Sequence, residues 1–240
     1  MRHLVRLAAA MSLMAGAAAC AEGAGQAGSD TSRRFPVTAF TQIESAGAYD
    51  VQVTTGRAPS MIATGPRDLI DRLEIEQRGD RLIIRNKRES GIGRVKWSNG
   101  RVRVAVTVPM LGGAAMAGSG GMRIDRIAGA RFAGSVAGSG DLLLDRVEVS
   151  EIGLSLAGSG AIKAIGSARR ATYSIAGSGD IDASGLTAAQ ANASVAGSGD
   201  LSARVTGQAQ ARVMGSGDIT IRGGARCSVS KMGSGDVRCS

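Results

Sequence analysis

Aspartates that recur at a fixed spacing are the first residues of this chain that could do chemistry. A Gly-Ser-Gly turn is followed directly by Asp180, Asp200, Asp218 and Asp236 in the C-terminal half. Like charges at matched positions of neighbouring strands repel unless cations or backbone donors offset them. The spacing therefore predicts either a weak divalent-cation row or carboxylates that accept backbone hydrogen bonds. Gly121 and Ala161 replace the aspartate in two of the seven copies, whereas Asp141 keeps it.

The Gly-Ser-Gly-Asp motif does not match two better-known glycine-rich sites. A phosphate loop is a single copy that opens a helix beside a lysine, and here seven copies lead into strand-like sequence. Calcium rolls repeat about every nine residues, but this motif recurs every 18 to 20 residues. The motif favours a structural corner, in which glycines adopt positive φ and serines exchange hydrogen bonds between rungs.

A basic segment before the repeats could bind an anionic partner. It contains one acidic residue, Glu89, and seven basic ones: Arg85, Lys87, Arg88, Arg94, Lys96, Arg101 and Arg103. Arginine clusters favour anionic glycans and lipid phosphates. A solvated loop and strand face is the alternative interpretation.

Catalytic groups are scarce. The single histidine, His3, lies in the N-terminal segment, so the rest of the chain lacks an imidazole for a catalytic triad, a histidine metal site or a general base. Paired carboxylates could still support glycosidase chemistry, but six aromatic residues offer little surface for stacking sugars. The sequence predicts a protein that is not an enzyme and needs no cofactor, and an exported chain is not expected to bind nucleic acid.

The N-terminus has the features of an export signal. Arg2 and Arg6 precede the apolar run from Leu7 to Ala15, and small residues lead into Cys20. This order resembles a bacterial lipobox, in which Cys20 is acylated and anchors the chain in a membrane. Ala21 follows the cysteine, which by resemblance to lipoproteins of bacteria with two membranes favours the outer membrane. Ordinary signal cleavage, giving a periplasmic or secreted protein, is the alternative.

Two further cysteines lie near the C-terminus. In an oxidising compartment, Cys227 and Cys239 predict one disulfide, with two buried thiols as the alternative. Removal of the export signal leaves 27 basic and 20 acidic residues, a balance that favours anionic surfaces.

Alignment of the seven Gly-Ser-Gly copies shows a periodic core. Two positions before the first glycine stand Met116, Val136, Leu156, Ile175, Val195, Val213 and Lys231. Apolar residues also recur four and six positions after it. Alternation on both sides of the turn indicates β-strands whose alternate residues point inward. Units this short predict stacked β-coils, and Lys231 marks the coil that meets water.

The chain divides into four segments on these patterns. Residues 1–19 are an export signal, 20–34 a flexible tether, 35–111 a β-rich part and 112–240 the repeats. Within the β-rich part, residues 48–55 and 101–108 alternate as half-buried strands. A hairpin is predicted around Arg78-Gly79-Asp80, after a helical turn near Asp68 to Leu73.

The ordered segments together resemble the GIN domain family of envelope proteins, described as heads of autotransporter adhesins. The motifs are Phe40-Thr-Gln-Ile43, the strand from Tyr49 to Val53, Arg81-Leu-Ile-Ile84 and the serial Gly-Ser-Gly-Asp turns. The resemblance covers residues 35 to 240. It implies an all-β fold, a right-handed parallel β-helix, on a lipoprotein or secreted chain. Gly121 and Ala161 depart from the aspartate that the family carries there.

Three functions are compatible with this sequence. The first is a non-enzymatic adhesin or surface-interaction module, tethered at Cys20, that binds an anionic glycan or an envelope surface through the flat faces of the coil or through the basic segment. The second is a structural envelope protein without a ligand. The third is a glycan-active β-helix enzyme.

Overall fold

The fold is one continuous stack of β-coils. The computed structural model describes residues 30–87 and 100–240. Their strands belong to one sheet system wound around a single apolar core. The predicted all-β parallel solenoid is confirmed by the parallel pairing of successive coils.

The N-terminal half supplies seven strands and one short helix. They are β1 (Thr31–Phe35), β2 (Gln42–Ala46), β3 (Tyr49–Thr55), β4 (Ser60–Gly65), α1 (Arg67–Asp71), β5 (Leu73–Arg78), β6 (Arg81–Asn86) and β7 (Val102–Val108). The predicted helical turn and both half-buried strands are present. Valines at alternate positions of β7 are buried, because the strand alternates sides along its length.

The C-terminal half supplies ten strands. They are β8 (Gly113–Gly118), β9 (Gly121–Ile124), β10 (Ile127–Gly138), β11 (Asp141–Gly158), β12 (Ala161–Gly177), β13 (Asp180–Gly197), β14 (Leu201–Gly215), β15 (Ile219–Arg222), β16 (Arg226–Gly233) and β17 (Val237–Cys239). The inward columns expected from the alignment are buried in the first six copies. Aliphatic burial along these columns is therefore the main stabilising term of the stack.

The stacking order differs from the order along the chain. The β6–β7 coil lies outside the β2–β3 coil, and the β2–β3 coil stacks on β8 and β9. Residues 35–111 and 112–240 therefore share one solenoid. The β-helix begins well before residue 112, where the sequence placed the start of its repeats.

Antiparallel strands cover the N-terminal end of the stack. β4 pairs with β7 and with β1, while β5 and β6 form the predicted hairpin across Gly79 and Asp80. Gly79 has φ +58°, which explains why the turn needs glycine. The last residues of the predicted tether are ordered, since β1 starts at Thr31 and pairs with β4.

The last coil is open to solvent. Cys227, Val229 and Lys231 continue the buried columns of Ala209, Ala211 and Val213. No described strand covers these residues, so Val229 is 46% exposed and Lys231 is exposed. Cys227 and Cys239 lie in inward columns, but neither is fully buried: Cys227 is partly buried and Cys239 is exposed.

Candidate functional site

The Gly-Ser-Gly motif forms the corner of each coil. The first glycine of all seven copies has a φ between +120° and +132°, a region that disfavours side chains. The third glycine lies against the coil below: a Cβ at Gly199 would be 2.0 Å from the Gly179 carbonyl oxygen. The fold therefore requires glycine at the first and third positions of the motif, and the predicted structural corner is confirmed for these two glycines.

The serine of the corner does not make the hydrogen bonds between serine side chains that the sequence predicted. Its backbone N–H, and not its hydroxyl, bonds to the coil below, as from Ser198 N to Gly177 O at 2.9 Å. Over residues 30–87 and 100–240, no hydrogen bond joins the hydroxyls of successive corner serines. The rung-to-rung connection is made by the main chain because the glycines allow the backbones to approach closely.

The aspartate row is bound into the backbone ladder. Oδ1 of Asp180 accepts from Asp200 N at 2.9 Å, Asp200 from Asp218 N at 2.9 Å, and Asp218 from Asp236 N at 2.8 Å. Each aspartate thus satisfies the N–H of the equivalent residue one coil later. These donors offset the repulsion that the sequence predicted. The cation-row hypothesis stays a prediction, and the described residues contain no group of three or more acidic, cysteine or histidine side chains placed to hold a metal ion.

Replacement of Asp200 tests this ladder. We expect Asp200→Ala to lower the free energy of unfolding by about 1 kcal/mol, because the Asp218 N–H loses its acceptor. Asp200→Asn keeps an acceptor oxygen and should cost less than half as much. Urea unfolding of both variants measures the difference. Equal losses in the two variants would contradict a hydrogen-bonding role.

Asp236 ends the row and is held differently. No described coil follows it, and its carboxylate bonds the Lys231 ammonium at 2.8 Å. That bond, with the attraction of the same charge, lowers the pKa of Asp236 below its ordinary value. A lowered pKa in the folded state means that the interaction stabilises the fold above the carboxyl's unfolded pKa and is lost as the pH falls through the folded pKa.

We expect Lys231→Met to raise the pKa of Asp236 towards its ordinary value, because the principal cation is removed. Carboxyl titration by NMR measures this change. Arg238→Met is the matched control, since its guanidinium lies 3.9 Å from the other Asp236 oxygen and contributes less. An unchanged Asp236 pKa in Lys231→Met would contradict the assignment.

Three described residues of the predicted anionic-ligand patch contact acidic side chains or a carbonyl oxygen of the protein itself. Arg85 pairs with Glu74 and Glu76 at 2.9 and 3.0 Å, and Lys87 Nζ donates to the Asp71 carbonyl oxygen at 2.7 Å. Arg101 lies 3.7 Å from Asp50. Arg88, Arg94 and Lys96 lie outside the described residues, so their place in the patch stays a prediction. Cys20 also lies outside the described residues, and its acylation stays a prediction.

Arg103 is the exception among the described basic residues of this segment. Its side chain points outward from β7 and makes no ion pair within residues 30–87 and 100–240. It lines a groove of about 560 Å³ over the outer surface of β3, β4, β7, β9 and β11, called here the β3–β7 groove. Its apolar members include Ile62, Ala105 and Leu143.

The two C-terminal cysteines form the predicted disulfide, Cys227–Cys239. The bond joins β16 to β17 and closes the last coil at the end that no described strand covers. Cross-links of this kind restrict the unfolded chain.

A polar surface lies on the strand before each corner. Outward positions there carry serine in register on four successive coils, followed by arginine and serine: Ser135, Ser155, Ser174, Ser194, Arg212 and Ser230. The neighbouring outward column contains Thr172, Asn192 and Gln210. We call these two columns the serine face. A shallow depression of about 280 Å³ lies on it between Thr172 and Arg212.

The serine face was missed in the sequence, although the signal was present. Alignment on the corners identified inward positions two before the first glycine, and the serines stand one position earlier. In a strand, that offset places them on the opposite side, facing solvent. The same alignment therefore contains both the core and the outer face.

Solved structures of other proteins share this fold. A "putative adhesin" from Bacteroides fragilis has 22% identity and a TM-score of 0.81, covering 88% of this chain and 97% of its own. A "putative lipid binding protein" from Parabacteroides distasonis has 26% identity and a TM-score of 0.71, covering 89% and 97%. A "putative adhesin" from the same species has 24% identity and a TM-score of 0.70, covering 89% and 98%.

No match was found among proteins with curated functions. Within the described residues, no helix is long and apolar enough to cross a membrane. A sequence family described as "Putative auto-transporter adhesin, head GIN domain" matches residues 39–225, which span the corners and columns described above. The chain therefore belongs to the GIN domain family.

Proposed function

We propose that the protein is a non-enzymatic, adhesin-like module of the bacterial cell envelope that binds a hydroxyl-rich polymer through the serine face. The observation that supports this most is the row of unused polar groups on a rigid surface. In the part of the chain that the structure describes, the side chains of Ser155, Ser174, Ser194, Thr172 and Asn192 bond no other protein group.

The geometry of this face suits a repeating ligand. Adjacent coils lie about 4.8 Å apart, so equivalent hydroxyls recur at that spacing along the stack. Their side chains are short, which leaves the main chain close to the surface and the face flat. A polysaccharide can exchange hydrogen bonds with several coils at once, and many weak contacts add up to useful avidity.

The neutral columns favour a neutral polymer over a charged one. Serine, threonine, asparagine and glutamine both donate and accept hydrogen bonds, as sugar hydroxyls do. Arg212 is the charged member near the depression. Aromatic stacking contributes little, so we expect weak binding by single sugars and stronger binding by long chains.

Export and anchoring complete the proposal. The N-terminal signal would direct the chain to the envelope, and acylation of Cys20 would tether it to a membrane with the solenoid projecting away. One acyl group alone gives marginal membrane binding, so a lipoprotein anchor needs more than one chain. Globomycin sensitivity of processing would test acylation at Cys20.

A polysaccharide array tests the proposed function. The protein without its export signal, residues 1–19, is applied to neutral and acidic polysaccharides of graded length. The bound glycans are then analysed for cleavage. We expect retention on at least one neutral polymer, increasing with its length, with no cleavage products. Absence of retention on every polymer would overturn the proposal, and cleavage of a bound glycan would show an enzyme.

Point variants show whether retention uses this face. Ser194→Glu places a charge in the middle of the serine column and should reduce retention at least tenfold. Thr187→Glu is the matched control, since it lies on a different part of the same strand, β13, and outside both columns. Equal retention by the two variants would exclude the serine face.

A further inference from the structure

The β3–β7 groove exposes apolar residues on an outward sheet surface. Ile62 of β4 is in register with Ala105 of β7, and Leu143 of β11 with Arg123 of β9. Outward positions of a solvated sheet are ordinarily polar, but Leu143 is 38% exposed. Gln52 of β3 lies between Ala105 and Arg123, so the outward row across the strands reads Ile62, Ala105, Gln52, Arg123 and Leu143.

Arg123 adds to the apolar character of this surface. Its guanidinium Nε lies 2.6 Å from Asp145 Oδ2, so the charged head is fixed on the β11 side. The methylene stem remains available to cover an apolar ligand.

A surplus cation stands at one side of the groove. Asp50 is the acidic residue among its lining, and its Oδ1 lies 3.7 Å from Arg101. Arg103, in register with Asp50 and with Thr64, makes no ion pair within the described ranges. The groove therefore combines a guanidinium that has no ion-pair partner among the described residues with exposed apolar residues. Its volume of about 560 Å³ lies within the range of small-ligand sites, about 300–1,000 Å³.

We propose that the β3–β7 groove binds a single-chain anionic amphiphile, with its carboxylate on Arg103 and its alkyl chain running over Ala105 and the Arg123 stem to Leu143. Guanidinium and carboxylate match in charge and can form two parallel hydrogen bonds. The alkyl chain covers the outward apolar residues that solvent otherwise contacts. This site is separate from the serine face, which lies on other strands or strand segments.

The probes are dodecanoate, used below its critical micelle concentration, and dodecanol, used below its solubility limit in water. Calorimetric titration of the full chain lacking its export signal should show dodecanoate binding, with dodecanol at least tenfold weaker. Arg103→Gln should reduce dodecanoate affinity about tenfold and leave dodecanol affinity unchanged. Leu143→Asp should weaken the binding of both probes.

Arg204→Gln is the matched control, because Arg204 is an exposed arginine of β14 outside the groove. It should leave dodecanoate affinity unchanged. Circular dichroism confirms that each variant is folded, and Arg103→Lys, which keeps the charge, should recover part of the affinity. No dodecanoate binding, equal affinity for both probes, or equal losses in Arg103→Gln and Arg204→Gln would overturn the proposal.

Discussion

Gly199→Ala is expected to destabilise the protein by about 3 kcal/mol, a large effect for one methyl group. The added Cβ would lie 2.0 Å from the Gly179 carbonyl oxygen and 3.1 Å from Ile175 Cγ2. The carbonyl belongs to the neighbouring corner and cannot rotate away like a side chain. The two coils must therefore separate locally, which weakens the main-chain bonds on both sides of the corner. Urea unfolding of the purified chain measures the loss.

Gly153→Ala is the matched control for this prediction. Gly153 is also a strand glycine of the solenoid, but a Cβ there would meet nothing within 4 Å. We expect a gain of up to about 1 kcal/mol, because alanine restricts the unfolded chain. A Gly199→Ala variant as stable as Gly153→Ala would show that the corners do not pack as closely as described.

Tyr173→Ala is expected to cost about 3–5 kcal/mol, since it removes the largest fully buried side chain among the described residues. In register, Tyr173 lies between Leu154 and Ala193. Alanines at Ala164 and Ala183 keep other inward positions of these coils small, which leaves volume for the ring. Truncation would leave a cavity that the rigid main-chain ladder cannot close.

Tyr173→Phe, in contrast, should not lower the free energy of unfolding. The Tyr173 hydroxyl is buried and has no hydrogen-bond partner among the described residues. Burial also raises the pKa of this phenol, so the hydroxyl stays neutral across the accessible pH range. Its removal should leave stability unchanged or increase it by about 1 kcal/mol. A loss of more than 1 kcal/mol in thermal or urea unfolding would show that the hydroxyl has a partner inside the core.

The repeat made the C-terminal half predictable from sequence. Register between identical corners fixes which residues share a column, so the sequence alone places Val136, Leu156 and Ile175 in the core. The disulfide followed from two cysteines in a short C-terminal interval. The GIN resemblance and the period of the corners both indicated the parallel solenoid.

Other features depend on contacts between distant segments. The β6–β7 coil lies outside β2–β3, although it follows it along the chain, and no local pattern specifies that order. The β3–β7 groove joins residues from β4, β7 and β11 and could not be assembled before those strands were placed. The basic segment looked continuous in sequence, but Arg85 is neutralised by two glutamates whereas Arg103 is not.

The corners build the solenoid, and we propose that its serine face binds a neutral polysaccharide. The most direct measurement compares retention of two double variants on the neutral polysaccharide that retains the parent chain. Ser174→Glu with Ser194→Glu changes the face, and Ser178→Ala with Ser198→Ala changes two corners whose hydroxyls bond no described residue. We predict that the face variant loses retention and the corner variant keeps it. Loss of retention in the corner variant with unchanged retention in the face variant would contradict this proposal.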